Sequence, residues 1–375
     1  MKSQIYTNDA AEQLQQLPAE SIHMVMTSPP YWNLRDYGVD GQLGLEDNAE
    51  DYVSNIADVM DEVKRVLRSD GSLWLNLGDT YDDKDLQQIP ARVALELQNR
   101  GWILRNRVTW AKPNPMPQSV KDRLNDTTEA VFHFVKNKSY WYDLDAIREA
   151  YTEFDGYGET KEKSGSGATK APSTNHQEYS SQKEMYEQYA HPAGKNPGDV
   201  FEVTTKPFPE AHFAVYPPEL VEKPLKATCP PTVCAECGSP YEREVERATY
   251  PGDHKTKDSA DSKLAQDGAK RNDGERNLGG RQYRKWKRNN PDEFKGWTPT
   301  CDCDTDATEA GIALDPFAGA GTTLLKAKEL GRKFVGIELN PEYADMARAR
   351  VGLDVKDPSN IRDDDGQEGL EAYSD

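Results

Sequence analysis

The stretch from 311 to 350 constrains this chain most. Gly311 to Leu314 (GIAL) is a short apolar run that stops at Asp315-Pro316-Phe317-Ala318-Gly319-Ala320-Gly321-Thr322-Thr323. From Thr323 onward (TLLKAKELG) the pattern is helical and closes at Gly331, and a second apolar run, Lys333 to Ile337, ends in Glu338. Strand, glycine turn, helix, strand and acid in this order predict a Rossmann-like unit. Gly319 and Gly321 let the backbone turn sharply and approach a ligand closely. The helix behind them offers free N–H groups. A carboxylate at the tip of the second strand can grip two ribose hydroxyls. The spacing is not the G-x-G-x-x-G of dinucleotide sites.

The remaining sequence supplies strands for the same sheet. Ile22 to Thr27, Ser72 to Leu77, Ile103 to Trp110 and Ala130 to Val135 read as strands, and Ala91 to Gln98 as a helix. Apolar residues at 52, 53, 56, 59, 60, 63, 66 and 67 predict a helix from Tyr52 to Leu67, with Gly71 at its C-terminal end. This alternation predicts an α/β fold with a mostly parallel sheet. Residues 1–150 form its first half and 311–350 its second. Residues 151–198 are polar and rich in Gly, Ser and Thr, 199–228 return to the core, 229–310 form a Cys-bracketed insert, and 351–375 an acidic tail. No apolar run approaches the roughly 20 residues of a membrane helix, and the N-terminus has no signal-peptide core, so the expectation is a cytoplasmic protein.

Charge narrows the partners. With 46 Lys and Arg against 65 Asp and Glu, the net charge is −19. A protein that coats nucleic acid or membrane by general basicity is excluded, but an enzyme with a local basic patch is not. The acid surplus also suits a salt-rich cytoplasm, so a halophilic source is expected. The sign reverses locally: Lys270 to Arg288 holds eight basic residues against Asp273 and Glu275, with Tyr283 and Trp286 interleaved. Such a stretch suits contacts to phosphates.

All five cysteines lie between Cys229 and Cys303. Cys234 and Cys237, followed by Gly238, have the form of a zinc-ribbon knuckle, and Cys301 and Cys303 complete a four-thiolate set for structural Zn²⁺. Cys229 is a fifth candidate that leaves the set ambiguous, and His254 is a weaker competitor. Four thiolates would hold a polar insert with too few apolar residues to fold alone.

Thr27-Ser28-Pro29-Pro30-Tyr31-Trp32 follows the first of the predicted strands. Two prolines stiffen this turn and remove two backbone donors, so its carbonyls can serve as fixed acceptors. DPFAGAGTT with VGIELNPEY, taken together with TSPPYW, resembles the β-type family of amino-methylating (cytosine-N4 and adenine-N6) DNA methyltransferases. Blocks at Asn76–Tyr81, Trp110–Asn114, Asp122-Arg123 and Phe208–Leu225 extend the likeness, and Asp9 matches an acid near the cofactor adenine. The resemblance implies S-adenosylmethionine as cofactor, held by Asp315, Phe317, Gly319, Gly321, Thr322, Thr323 and Glu338. It implies catalysis at Ser28, Pro29, Pro30 and Tyr31, on a base flipped from duplex DNA. Ser28 and the Pro29 carbonyl would accept the amino hydrogens, with Tyr31 and Trp32 stacking on the base. Serine before Pro-Pro-Tyr favours cytosine-N4 over adenine-N6 members. A modification enzyme with a cognate restriction endonuclease, or an orphan methyltransferase without one, is expected. A zinc-dependent DNA-binding module without catalysis is the reading from another class.

Overall fold

The computed structural model describes residues 1–150, 191, 193–205, 215–246, 248, 290 and 292–357. The expectations for 156–175, for His254, for Lys270–Arg288, for Phe208 and for most of the acidic tail fall outside them. The chain divides into two units. The first comprises Met1–Ile147, Gly198–Glu242 and Pro299–Asp375, and the second Arg148–Pro197 and Arg243–Thr298.

The first unit is built on an eight-stranded sheet. Its strands are β1 (Gln4–Thr7), β2 (Ile22–Thr27), β3 (Leu67–Leu77), β4 (Ile103–Ala111), β5 (Thr128–Val135), β6 (Val200–Glu202), β7 (Ile312–Asp315) and β8 (Lys333–Glu338). They lie in the order β1-β8-β7-β2-β3-β5-β4-β6. Every neighbouring pair is parallel except those of β5, which runs antiparallel to β3 and β4. The helices are α1 (Ala10–Gln16), α2 (Ala49–Val66), α3 (Ile89–Asn99), α4 (Pro218–Thr228), α5 (Thr322–Glu329) and α6 (Pro341–Val351). This is an α/β architecture with a mixed central sheet.

The strand pattern explains the layering. Along β2, Ile22 and Val25 enter a core with Leu14, Tyr52, Ile56 and Val93 of α1, α2 and α3. Met24 and Met26 enter another with Leu220, Leu225, Leu324 and Ala344 of α4, α5 and α6. A strand buried on both faces reads as a continuous apolar run, as IHMVMT does. Helix α2 begins where the Asn48 side chain accepts a hydrogen bond from the Asp51 N–H at 2.8 Å. It stops at Leu67, one turn earlier than Gly71 implies. Gly71 instead lies inside β3, where an added Cβ would sit 2.8 Å from the His23 carbonyl oxygen, so the glycine serves close strand packing.

The second unit includes Arg243–Glu246 and Glu293–Thr298, most of a two-stranded ribbon. Within it the Arg243 guanidinium lies 5.0 Å from the Phe294 ring and 5.2 Å from the Trp297 ring. No helix among the described residues is long and apolar enough to cross a membrane.

Candidate active site

The carboxyl ends of β1, β2, β3, β7 and β8 share one edge of the sheet, where open α/β sheets place their ligands. A cleft of about 1450 Å³ opens there. It is lined by Ser28, Pro29, Pro30 and Tyr31 after β2, by Phe317, Gly319 and Thr322 after β7, and by Glu338 at the end of β8. The two sequence motifs, almost 300 residues apart, therefore meet in one depression. Asp9, the cap of α1, is on its wall.

Three of the seven expected cofactor residues do not line this cleft: Asp315, Gly321 and Thr323. Asp315 is fully buried. Its carboxylate accepts from Thr27 Oγ1 at 2.6 Å, Tyr216 OH at 2.9 Å and the Phe317 N–H at 3.1 Å. Burial raises its pKa, and these hydrogen bonds oppose the rise. Asp315 thus bolts the TSPPY turn to the DPFAG turn. Thr323 is spent on Tyr216 OH and the Met26 carbonyl. Gly321 has φ 78° and faces Ala347, whose Cβ an added side chain would meet at 2.9 Å. All three shape the turn from behind.

The remaining four fit a ligand. Gly319, at φ 50°, has open space where a Cβ would be. Thr322 is buried and its Oγ1 has no hydrogen-bond partner, which on the cleft wall marks a group awaiting one. The Glu338 carboxylate accepts from the N–H groups of Gly319 and Asn340, both at 2.8 Å. Burial, the largest influence, pushes its pKa up to about 7. Tyr37 and Tyr343, edge to face at 6.5 Å, add an aromatic wall near Glu338 that the sequence reading missed.

The TSPPY turn is held tightly. Tyr52 OH donates to the Pro30 carbonyl at 2.8 Å. That carbonyl is therefore an anchor on α2 and not an open acceptor, which leaves Ser28 and the Pro29 carbonyl as the acceptors the turn offers. The Tyr31 ring packs on Gly78, where an added Cβ would lie 2.4 Å from Cε2. Its hydroxyl donates to Glu129 Oε2 at 2.6 Å and accepts from Ser28 Oγ at 3.2 Å and Asn76 Nδ2 at 2.7 Å. Burial and then Glu129 raise the Tyr31 pKa well above the ordinary phenol value. Trp32 is not a stacking platform: it is buried in the core and donates to the Glu46 carbonyl at 2.9 Å. Asn76 and Lys112 belong to the blocks at Asn76–Tyr81 and Trp110–Asn114, whereas Glu129 carries no motif of its own, and only the antiparallel course of β5 brings it to this edge.

The cysteines converge elsewhere in the same unit. The Sγ atoms of Cys234, Cys237, Cys301 and Cys303 all lie within 4.8 Å of one another. A two-residue ladder, Val233–Cys234 against Thr308–Glu309, brings the pairs together. These residues belong to the first unit, so the division of the chain leaves the roots of the insert with the core. The knuckle is seated by His23, whose Nδ1 accepts from the Ile312 N–H and whose Nε2 donates to the Gly238 carbonyl at 2.9 Å. Cys229 is apart from the cluster, fully buried after α4, where burial pushes its thiol up to about 12.

A sheet of this order with a nucleotide-type cleft and a Ser-Pro-Pro-Tyr turn defines an α/β methyltransferase. The chain belongs to the N6/N4 DNA methylase family, whose model matches residues 22–233 and 306–349. It is 30% identical over 376 residues to the Type II methyltransferase M.SmaI of Serratia marcescens, covering 92% of this chain and 90% of that one. It is 30% identical to M.XycI of Xanthomonas campestris pv. cyanopsidis, covering 93% and 87%. M.SfiI of Streptomyces fimbriatus is 44% identical over 184 residues, 44% of each chain. Among solved structures, a PvuII DNA methyltransferase described as cytosine-N4-specific shares the fold with TM-score 0.53 and 17% identity, covering 95% of this chain and 88% of that one.

Proposed function

We propose that this chain is a site-specific DNA methyltransferase that transfers the methyl group of S-adenosylmethionine to the N4 amino group of cytosine in duplex DNA, as the modification partner of a restriction endonuclease. The observation that carries this reading is one cleft lined both by the Ser28-Pro29 turn and by the Gly319, Thr322 and Glu338 pocket. S-adenosylmethionine, when bound, supplies an electrophilic methyl group. Glu338 accepts hydrogen bonds from its ribose hydroxyls, Thr322 Oγ1 finds its missing partner, and Phe317 and Gly319 form the floor. Ser28 Oγ and the Pro29 carbonyl accept the two hydrogens of the target amino group and turn its lone pair toward the methyl group. Tyr31 presents a ring to the base, which has to leave the duplex to enter.

Cations on the cleft wall, Arg35, Arg107, Lys112 and Arg123, suit the phosphates that flank a flipped base. The choice of cytosine rests on Ser28 and the family resemblance. Nucleoside analysis of DNA methylated by the purified protein tests it. N4-methylcytosine is the expected product, N6-methyladenine would reassign the base, and 5-methylcytosine would overturn the mechanism. Because Gly78 is the seat of Tyr31, Gly78→Ala should slow single-turnover methylation at least tenfold. Overpacking at this position costs about 1–3 kcal/mol and is relieved most directly by moving the ring. Unchanged rates would show that the ring position does not matter.

The four-cysteine cluster fits structural Zn²⁺ through its donor set and the mutual approach of its sulfurs. Elemental analysis of purified protein should find about one zinc per chain, and Cys234→Ser with Cys237→Ser should lose it. A metal-free, fully folded protein would remove zinc from the account.

A further inference from the structure

Transfer to an amino group leaves one proton too many on the product nitrogen, and the site has to dispose of it. This argument rests on the function proposed above. Ser28 Oγ, which faces the target, donates to Tyr31 OH at 3.2 Å, and Tyr31 OH donates to Glu129 Oε2 at 2.6 Å. The chain of donors runs in one direction and ends on a carboxylate. Asn76 enforces that direction. Its Nδ2 lies 2.7 Å from Tyr31 OH, 2.8 Å from Glu129 Oε2 and 3.2 Å from Ser28 Oγ, and its two hydrogens go to the two nearer oxygens. Tyr31 OH, receiving the Asn76 hydrogen, sends its own hydrogen to Glu129, and Ser28 sends its hydrogen to Tyr31. Reversing the Asn76 amide would set its oxygen against the carboxylate, so the hydrogen-bond network selects this orientation. Asn76 is buried and its Oδ1 has no partner, so the residue is held by these bonds at a cost.

We propose that Glu129 is the terminal proton acceptor of the methylation reaction, reached from the target amino group through Ser28 and Tyr31. As the carbon–nitrogen bond forms from the nitrogen lone pair, the methyl–sulfur bond breaks and its electron pair stays on sulfur, cancelling the sulfonium charge. The surplus N–H proton moves to Ser28 Oγ, the Ser28 proton to Tyr31, and the Tyr31 proton to Glu129, which becomes a neutral carboxylic acid. The charged and titratable groups facing Glu129 are Lys112, whose Nζ holds the other carboxylate oxygen, and Tyr31, with Tyr52 behind it. The Glu129 side chain keeps 14% of its surface exposed, so it can return the proton to water after turnover. The other carboxylates of the wall are engaged elsewhere: Asp9 with the Glu12 N–H, Asp79 with the N–H groups of Thr80 and Ile89, Asp126 with Arg123, and Glu338 with Gly319 and Asn340. Glu129 acts through Tyr31 and does not touch the base; it is a positioning and proton-accepting residue.

The test is single-turnover methylation of a DNA duplex by the full-length protein, from pH 5 to 9, with calorimetric cofactor affinity and DNA affinity measured on the same preparations. In the unaltered protein the rate should fall at the acid end of this range, because the relay works only toward an ionised acceptor. Glu129→Gln keeps the shape and an acceptor for Tyr31 but removes the base. It should lose about 100-fold or more in rate, the lower end expected of general-base assistance. It should also lose the acid limb while both affinities stay within about twofold. Glu129→Asp should recover part of the rate and the limb, and Tyr31→Phe, which cuts the relay at its middle, should behave as Glu129→Gln does. Glu129→Gln with a rate within about threefold of normal, or with a slowed rate and the same acid limb, would overturn the proposal. An unaltered protein that binds cofactor and DNA but methylates no amino group would refute the function on which the proposal rests, a result distinct from either.

Discussion

Asp315→Ala is expected to be among the most destabilising single substitutions in the protein, lowering unfolding free energy by about 3–5 kcal/mol. The carboxylate is fully buried and accepts from Thr27, Tyr216 and the Phe317 N–H. Alanine leaves the buried Thr27 donor and two half-buried ones without their acceptor, an unmet buried donor costing about 1–3 kcal/mol and the others less, offset in part by the relief of a buried charge. The bonds also join β2 to β7, so their loss separates the two turns that line the cleft. Asp315→Asn should be milder, because its amide oxygen still serves Thr27 and Phe317, and Tyr216 can rotate its hydrogen toward Thr323. Urea unfolding of both variants measures the difference as a shift of midpoint at constant slope. Equal midpoints for Ala, Asn and the unaltered chain would show that the carboxylate is not the bolt.

This residue illustrates how far the sequence could be read. DPFAGAGTT identified the turn after β7, and the strand–helix–strand pattern placed it at the edge of a parallel sheet. A motif does not distinguish residues that touch a ligand from those that hold the turn, because both are needed at fixed spacing. Asp315, Gly321 and Thr323 turned out to face inward for reasons that involve Thr27, Tyr216 and Ala347, all distant in sequence. The Pro30 carbonyl is likewise committed to Tyr52, a residue readable only as one apolar position of α2.

Periodicity located α2 and its end at Leu67, and it is the glycine beyond that was assigned to the wrong element. Gly71 looked like a terminus because glycine often follows one, yet β3 starts at Leu67 and needs the glycine to pass the His23 carbonyl. Trp32 looked like part of the catalytic turn because it follows Tyr31. The chain there turns into the core, and the indole has its partner at Glu46. The Glu129 network had the faintest signal: one acid opening the apolar run TEAVFHFV. Its significance depends on β5 running antiparallel, which sends the start of that strand, and not its end, to the edge where the parallel strands finish.

Glu338→Gln should weaken S-adenosylmethionine binding by about 10- to 150-fold at pH 8, the equivalent of about 1.5–3 kcal/mol for a hydrogen-bonded charged acceptor. The pH dependence follows from its raised pKa. In the folded protein without cofactor the carboxyl titrates near 7, against 4.5 for an ordinary glutamate. Ribose hydroxyls donate to the ionised form, so cofactor affinity should be full well above pH 7 and decline as pH falls through 7. Folding has the opposite sign. The folded protein holds this proton more tightly than the unfolded chain, so the group favours folding below about pH 4.5. That contribution is lost as pH rises from there through 7. At pH 8 the ionised carboxylate is therefore a burden on stability, which Glu338→Gln should relieve even as it damages binding. Calorimetric titration at pH 6 and pH 8, paired with thermal melting, reads both effects. The variant's affinity deficit should be several-fold smaller at pH 6 than at pH 8. It should melt no lower than the unaltered protein at pH 8. An affinity loss that is the same at both pH values, or a large fall in melting temperature, would show that Glu338 acts as a structural strut at the end of β8 and not as the ionised grip on the cofactor.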